Sequence, residues 1–107
     1  MNKRWHLYKI EVDGEMIYIG VTNNVTKRRE AHSAKRFIPL MGGDMIVMDS
    51  FEHRADALAA EVRAIKQHRP VGNFQSNTIG YKTVNDRDRA VWRKLTEIDV
   101  ARWKRHA

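Results

Sequence analysis

A small α/β domain is predicted by three features of the sequence. Residues 5–12 alternate between two faces, a turn dipeptide folds that run back onto a second one, and two later segments carry apolar residues at helical spacing. The predicted order is β-β-α-β-α, a small, three-stranded, mainly antiparallel sheet with helices packed on it in two layers. A basic C-terminal helix follows.

In the first strand His6, Tyr8, Ile10 and Val12 share one face, and Trp5, Leu7, Lys9 and Glu11 share the other. The period and the side chains both favour a strand. Asp13-Gly14 is a strong hairpin signal, and Met16 to Val21 is the return strand. Two registers are open. A two-residue turn pairs Val12 with Glu15 and Tyr8 with Ile19, which sends Tyr8 and Tyr18 to opposite faces. A three-residue turn, Asp13-Gly14-Glu15, pairs Val12 with Met16 and puts both tyrosines on one face. It also sets Gly20 opposite Tyr8, where backbone without a side chain leaves room for a ligand to approach. A site shared by the two tyrosines needs the second register.

Asn23-Asn24 supplies N-cap chemistry for a helix reaching to about Phe37. On it Val25, Arg28, Arg29, His32 and Arg36 fall to one side. Arg28 and His32 stand one turn apart, so a guanidinium suited to phosphate and an imidazole that titrates near neutrality point the same way. A solvated basic face is the alternative for the same residues. Pro39 and Gly42-Gly43 mark a loop, and "DMIVMDSF", residues 44–51, is expected as a third, central strand.

The segment from Arg54 to His68 is the clearest helix, with Leu58, Val62 and Ile65 as its apolar stripe and Pro70 as its stop. Glu61 lies at the edge of that stripe. It serves there either as an ion-pair partner, with Arg54 in reach, or as a ligand for a hard cation. After Asn77 the chain turns polar, and "DRDRAVWRKLTEIDVARWKRHA" forms the last helix with Val91, Leu95, Ile98 and Arg102 in one stripe. The expected organisation is a core over residues 1–76 and a basic helical extension over 77–107 that packs on it.

Composition narrows the function. The chain has 107 residues and a formal charge of +7, which favours a polyanionic partner, most commonly nucleic acid. With no cysteine it has neither disulfides nor thiolate sites. The sequence shows no secretory signal and no run approaching the ~20 apolar residues of a membrane helix. An intracellular location, cytoplasm or nucleoid, is expected, with no membrane partner. His6, His53, His68 and His106 lack metal-ligand spacing. Trp5, Trp92 and Trp103 are expected mainly as core anchors, with base stacking as the alternative, and Met41, Met45 and Met48 as core filler. Arg87, Arg89, Arg93, Lys94, Arg102, Lys104 and Arg105 give the last helix a basic surface that is expected to extend a DNA-contacting face while its Val91–Leu95–Ile98 stripe closes the core.

Leu7-Tyr8, Tyr18-Ile19-Gly20, Arg28, His32, Glu61 and Asn73 together resemble the GIY-YIG nuclease domain in order and spacing, over roughly residues 5–74. "YIGVTNNVTKRREAH" is similar to the family's second-strand and helix signature, and "ADALAAEVRAIKQHRPVGN" to its glutamate helix, proline and closing asparagine. Two departures stand out. His6-Leu7-Tyr8 replaces Gly-Ile-Tyr, and Val21 follows the Tyr-Ile-Gly where many relatives have a polar or small residue.

The resemblance implies a DNA endonuclease that hydrolyses phosphodiester bonds with one divalent ion, Mg²⁺ or Mn²⁺, held by Glu61, and no small-molecule cofactor. It implies that Arg28 neutralises the scissile phosphate and that Asn73 braces the site. Tyr8, assisted by His32, is favoured as the base and Tyr18 as the group that orients the phosphate, with the reverse assignment open. Gly20, Lys27, Arg28, Arg29, Lys35, Arg36, Arg93 and Lys94 are the expected DNA contacts. The enzyme would work as a monomer or weak homodimer, and the short extension favours a stand-alone nuclease that selects DNA structure. The rival readings are a non-catalytic nucleic-acid-binding module that keeps the fold, and a structural or protein-interaction domain.

Overall fold

The computed structural model describes residues 4–34, 43–74 and 79–106. Six elements follow in order: β1 (Trp5–Val12), β2 (Glu15–Thr22), α1 (Val25–Ala34), β3 (Asp44–Phe51), α2 (Arg54–His68) and α3 (Val84–His106). The three strands form one antiparallel sheet in the order β2-β1-β3. The expected α/β domain is therefore present, with every strand pair antiparallel. The central strand is β1, not β3. β3 runs along an edge, paired only with β1, whose other side is taken by β2.

The hairpin resolves the register in a way neither alternative anticipated. The turn is the two-residue one: Val12 pairs with Glu15, and Asp13 (φ 53°) and Gly14 (φ 80°) both take the left-handed backbone that such turns require. A β-bulge then shifts the pairing between Ile10 and Glu11. Glu11 faces Met16 but Ile10 faces Tyr18 and Tyr8 faces Gly20, so Ile17 is the extra residue. Both tyrosines share a face after all. The bulge, and not a longer turn, puts them there.

Side chains from the two faces of the sheet build two apolar clusters. Tyr8, Ile10, Val12 and Ile17 pack with Val91, Leu95 and Ile98 of α3, with Val25 of α1 against them. Leu7 and Ile19 pack on the other face with Ala60 and Ile65 of α2. Helices thus cover both faces, giving three layers where two were expected. The buried stripe of α2 is Ala57, Ala60 and Ile65, while Val62 of the expected stripe is 36% exposed. Alanines on that face let the helix lie close to the sheet.

Local signals account for the helix ends. The Asn24 side chain accepts from the Lys27 N–H at 3.0 Å and caps α1. Thr83 and Asp86 exchange side-chain bonds with each other's N–H at 3.1 and 3.2 Å, a capping box that starts α3 two residues ahead of the expected Asp86. Arg69 turns left-handed (φ 49°) ahead of Pro70, and its N–H closes α2 on the Ile65 carbonyl at 2.7 Å. Lys35 and Arg36, together with Met41 and the Pro39–Gly42 part of the expected loop, lie outside the described residues. No helix among the described residues is long and apolar enough to cross a membrane.

Candidate active site

The site is assembled on β2, an edge strand whose outer side is partly sealed. The Asn73 carboxamide accepts from the Ile19 N–H at 2.9 Å and donates to the Ile19 carbonyl at 2.8 Å, standing in for a neighbouring strand. The Gly72 N–H donates to the Ile17 carbonyl at 2.8 Å. A side chain at Gly72 would meet that carbonyl oxygen at 2.7 Å, so only glycine permits the approach. Tyr18, between the two anchored residues, is held from both sides. Asn73 is 3% exposed, and its two bonds brace β2 at Ile19.

A buried ring cluster lies beneath. Tyr8, Tyr18 and His32 meet with ring centroids 5.5–6.2 Å apart. The Tyr8 hydroxyl is 2.8 Å from His32 Nε2, and Arg28 donates to the same hydroxyl at 3.4 Å. With Arg28 donating to that oxygen, the phenol proton is free to point at Nε2. Tyr8 is fully buried and its ring fills the space above Gly20, where an added Cβ would come within 2.5 Å of the hydroxyl. The opening expected there for a ligand is occupied by the protein itself.

Burial, reinforced by Tyr18 and opposed by Arg28, holds the Tyr8 phenol well above the ordinary range. Burial also raises Tyr18, as does the charge of Glu61, against Arg28 and Arg87. Both tyrosines are protonated at neutral pH.

Outside this cluster a cleft of about 380 Å³ crosses the outer edge of β2, lined among others by Tyr18, Thr22, Arg28, Arg54 and Glu61. Of the expected catalytic set, Tyr18, Arg28 and Glu61 open on this cleft, whereas Tyr8 and His32 stand behind it and Asn73 supports it. Glu61 is half-buried, and burial raises its carboxyl above the usual range, against the pull of Arg28 and then Arg54. Among the described residues it makes no ion pair within 4 Å, so the expected Glu61–Arg54 pair does not form. Arg54 instead lies over the Trp5 ring, 5.6 Å from its centroid. Trp5 and Arg54 were not among the expected site residues. The signal for Arg54 is helical position, since it precedes Glu61 by two turns on one face of α2, whereas Trp5, on β1, carries base stacking only as the alternative to a core anchor.

The donor set suits one kind of metal. No group of three or more His, Asp or Glu side chains capable of holding an ion occurs among the described residues. Zinc-type chelation is therefore absent there. A single carboxylate in a polar cleft fits a hard cation such as Mg²⁺, which keeps most of its water and takes its remaining ligands from phosphate.

The expected DNA contacts separate by exposure. Lys27 and Arg28 line a recess next to the cleft. Arg29 is exposed at the surface of α1 but donates to the Met45 carbonyl at 3.3 Å, tying the helix to β3. Arg93 is exposed on α3, while Lys94 pairs with Glu15 at 3.3 Å. Arg102 and Arg105 both pair with Asp13 in the hairpin turn. Arg87 is 8% exposed and donates to the Gly72 carbonyl at 3.1 Å, so it serves the interior. Trp92 and Trp103 are 46% and 73% exposed, which corrects their expected role as core anchors. Searches of protein-family models, curated proteins and solved structures find no match to this chain.

Proposed function

We propose that the chain is a metal-dependent DNA endonuclease of the GIY-YIG type, hydrolysing phosphodiester bonds in the cleft beside β2. The observation that carries this reading is the convergence of Tyr18, Arg28 and Glu61, from β2, α1 and α2, on one polar cleft. A guanidinium and a carboxylate that share a cleft without pairing with each other suit a ligand that brings both negative oxygens and a cation.

Glu61 would hold the cation, which when bound supplies positive charge that acidifies nearby water and neutralises phosphate. Arg28 binds a non-bridging phosphate oxygen and stabilises the charge that builds there. Its position is set from below, by the Tyr8 hydroxyl and through it by His32. Tyr18 is the tyrosine on the cleft wall, so it contacts the attacking water or the phosphate, and Tyr8 with His32 forms the support. This reverses the assignment favoured from the resemblance. Tyr18 accepts a proton only when added positive charge enters the cleft, since burial and Glu61 keep its phenol protonated otherwise.

The test is cleavage of duplex, single-stranded, flap and branched DNA with and without Mg²⁺. Cleavage should require the ion and fall by ~10²–10³-fold or more in Glu61→Ala. Equal rates for Glu61→Ala and the parent would remove the proposed site. Binding without cleavage of any substrate would favour the non-catalytic module.

A further inference from the structure

The cleft has two chemically different flanks. Tyr18, Thr22 and Arg28 reach it from the side of the sheet that carries α1, and Asn23 adds an amide. Trp5, Val21, Leu58 and Arg54 reach it from the side that carries α2. One flank is made for a charged, hydrogen-bonding group. The other is aromatic and aliphatic, with a guanidinium lying on the aromatic ring.

Arg54 is the informative residue on the second flank. Its guanidinium is exposed, and among the described residues its ring contact with Trp5 is not joined by any hydrogen bond or ion pair. Glu61, two turns along the same face, does not engage it within 4 Å. At 5.6 Å from the indole centroid the guanidinium is within cation–π reach of the ring, and its exposure leaves a planar face available. A planar aromatic ligand fits that face, and the unused N–H donors at its rim fit ring nitrogens and carbonyls.

We propose that Trp5 and Arg54 form a nucleobase-stacking subsite, so that the cleft accepts a nucleotide whose base lies outside the duplex stack beside the bound phosphate. This rests on reading the cleft as a phosphodiester site. A cleft of about 380 Å³ is at the lower end of the range for small-ligand sites and matches one nucleotide unit better than a stacked base pair. The substrate class narrows accordingly, to single strands, flaps, junction branches and distorted duplexes. In those substrates a base is already unpaired or is freed at small cost. The Trp–guanidinium pair contributes recognition by plane and π-face, which tolerates any base identity.

The experiment is fluorescence anisotropy in EDTA, where no cleavage occurs, with a labelled thymidine tetranucleotide and an abasic tetranucleotide of equal charge. The parent should bind the base-bearing strand about tenfold more tightly, the lower part of the range for one stacked base. Arg54→Lys keeps the charge at an exposed position but loses the plane. It should reduce the preference to within about twofold and leave the abasic affinity unchanged, and Trp5→Leu should do the same to the preference. A preference that survives Arg54→Lys, or that is lost instead in Trp103→Ala, places the base elsewhere and overturns the subsite. Equal binding of both strands by the parent overturns it too, while leaving the phosphate cleft standing. If neither strand binds, the subsite is overturned, and the nuclease reading is decided separately by the Mg²⁺-dependent cleavage assay with Glu61→Ala.

Discussion

Glu61 carries two opposed requirements at one carbon chain. As the proposed cation ligand it must be ionised, yet burial holds its carboxyl above the ordinary range despite Arg28 and Arg54. Its pKa in the folded chain therefore exceeds that in the unfolded chain. The protonated form suits the fold, and that stability is lost as pH rises through the folded value. Glu61→Gln should abolish cleavage and yet raise the melting temperature at pH 7 by ~2 °C, a small gain because the group is only partly buried. The gain should shrink as pH falls toward the ordinary carboxylate value of ~4.3. Calorimetry at the two pH values decides it: a gain of equal size at both would mean that something other than burial of charge is responsible. The residue types of the site were legible in the sequence, because Tyr18, Arg28 and Glu61 sit at recognisable spacing. Which tyrosine meets the cleft was not legible, since that depends on Tyr8 lying under Tyr18 across Gly20.

At the scale of elements, β2 depends on a partner that is not a strand. Asn73 satisfies both backbone groups of Ile19, and Gly72 satisfies the carbonyl of Ile17. Asn73→Ala would leave a buried N–H and a buried C=O without partners, a cost of about 2–4 kcal/mol. Urea denaturation should show that loss, and hydrogen exchange should show the Ile19 amide deprotected well beyond its neighbours in β1. An Ile19 amide as protected as in the parent would mean that water or another group replaces the carboxamide. The strands and helices themselves could be read from periodicity and caps. The position of β3 could not, because alternation says which face a residue takes but not which strand lies beside which. The stripe of α2 was misread for a related reason. Close packing against the sheet selects alanines, and hydrophobic pattern alone gives the larger Val62 more weight.

For the molecule as a whole, α3 is part of the core on which the site stands. Val91, Leu95 and Ile98 cover the same face that carries Tyr8 and Ile10, and Arg87 reaches under the site to the Gly72 carbonyl. Burying three such side chains contributes roughly 6 kcal/mol, comparable with the whole stability of a domain this size. A chain ending at residue 76 should therefore lose its dispersed amide NMR spectrum and cooperative thermal transition. Retention of both would show that the first five elements suffice. Charge, legible from composition, is spent unevenly. Lys94, Arg102 and Arg105 fasten α3 to the hairpin and Arg89 pairs with Asp86 on its own helix, which leaves Arg93 and Lys104 as basic groups on its outward surface.

The bulge at Ile17 has a consequence for recognising kin of this protein. Tyr8 and Tyr18 are ten positions apart, yet the same turn without the extra residue would set equivalent tyrosines nine apart. Both spacings deliver the same pair of rings to the same face. A search pattern with a rigid gap between the tyrosines would accept one and discard the other, whereas one that permits a single-residue insertion after the turn would gather both.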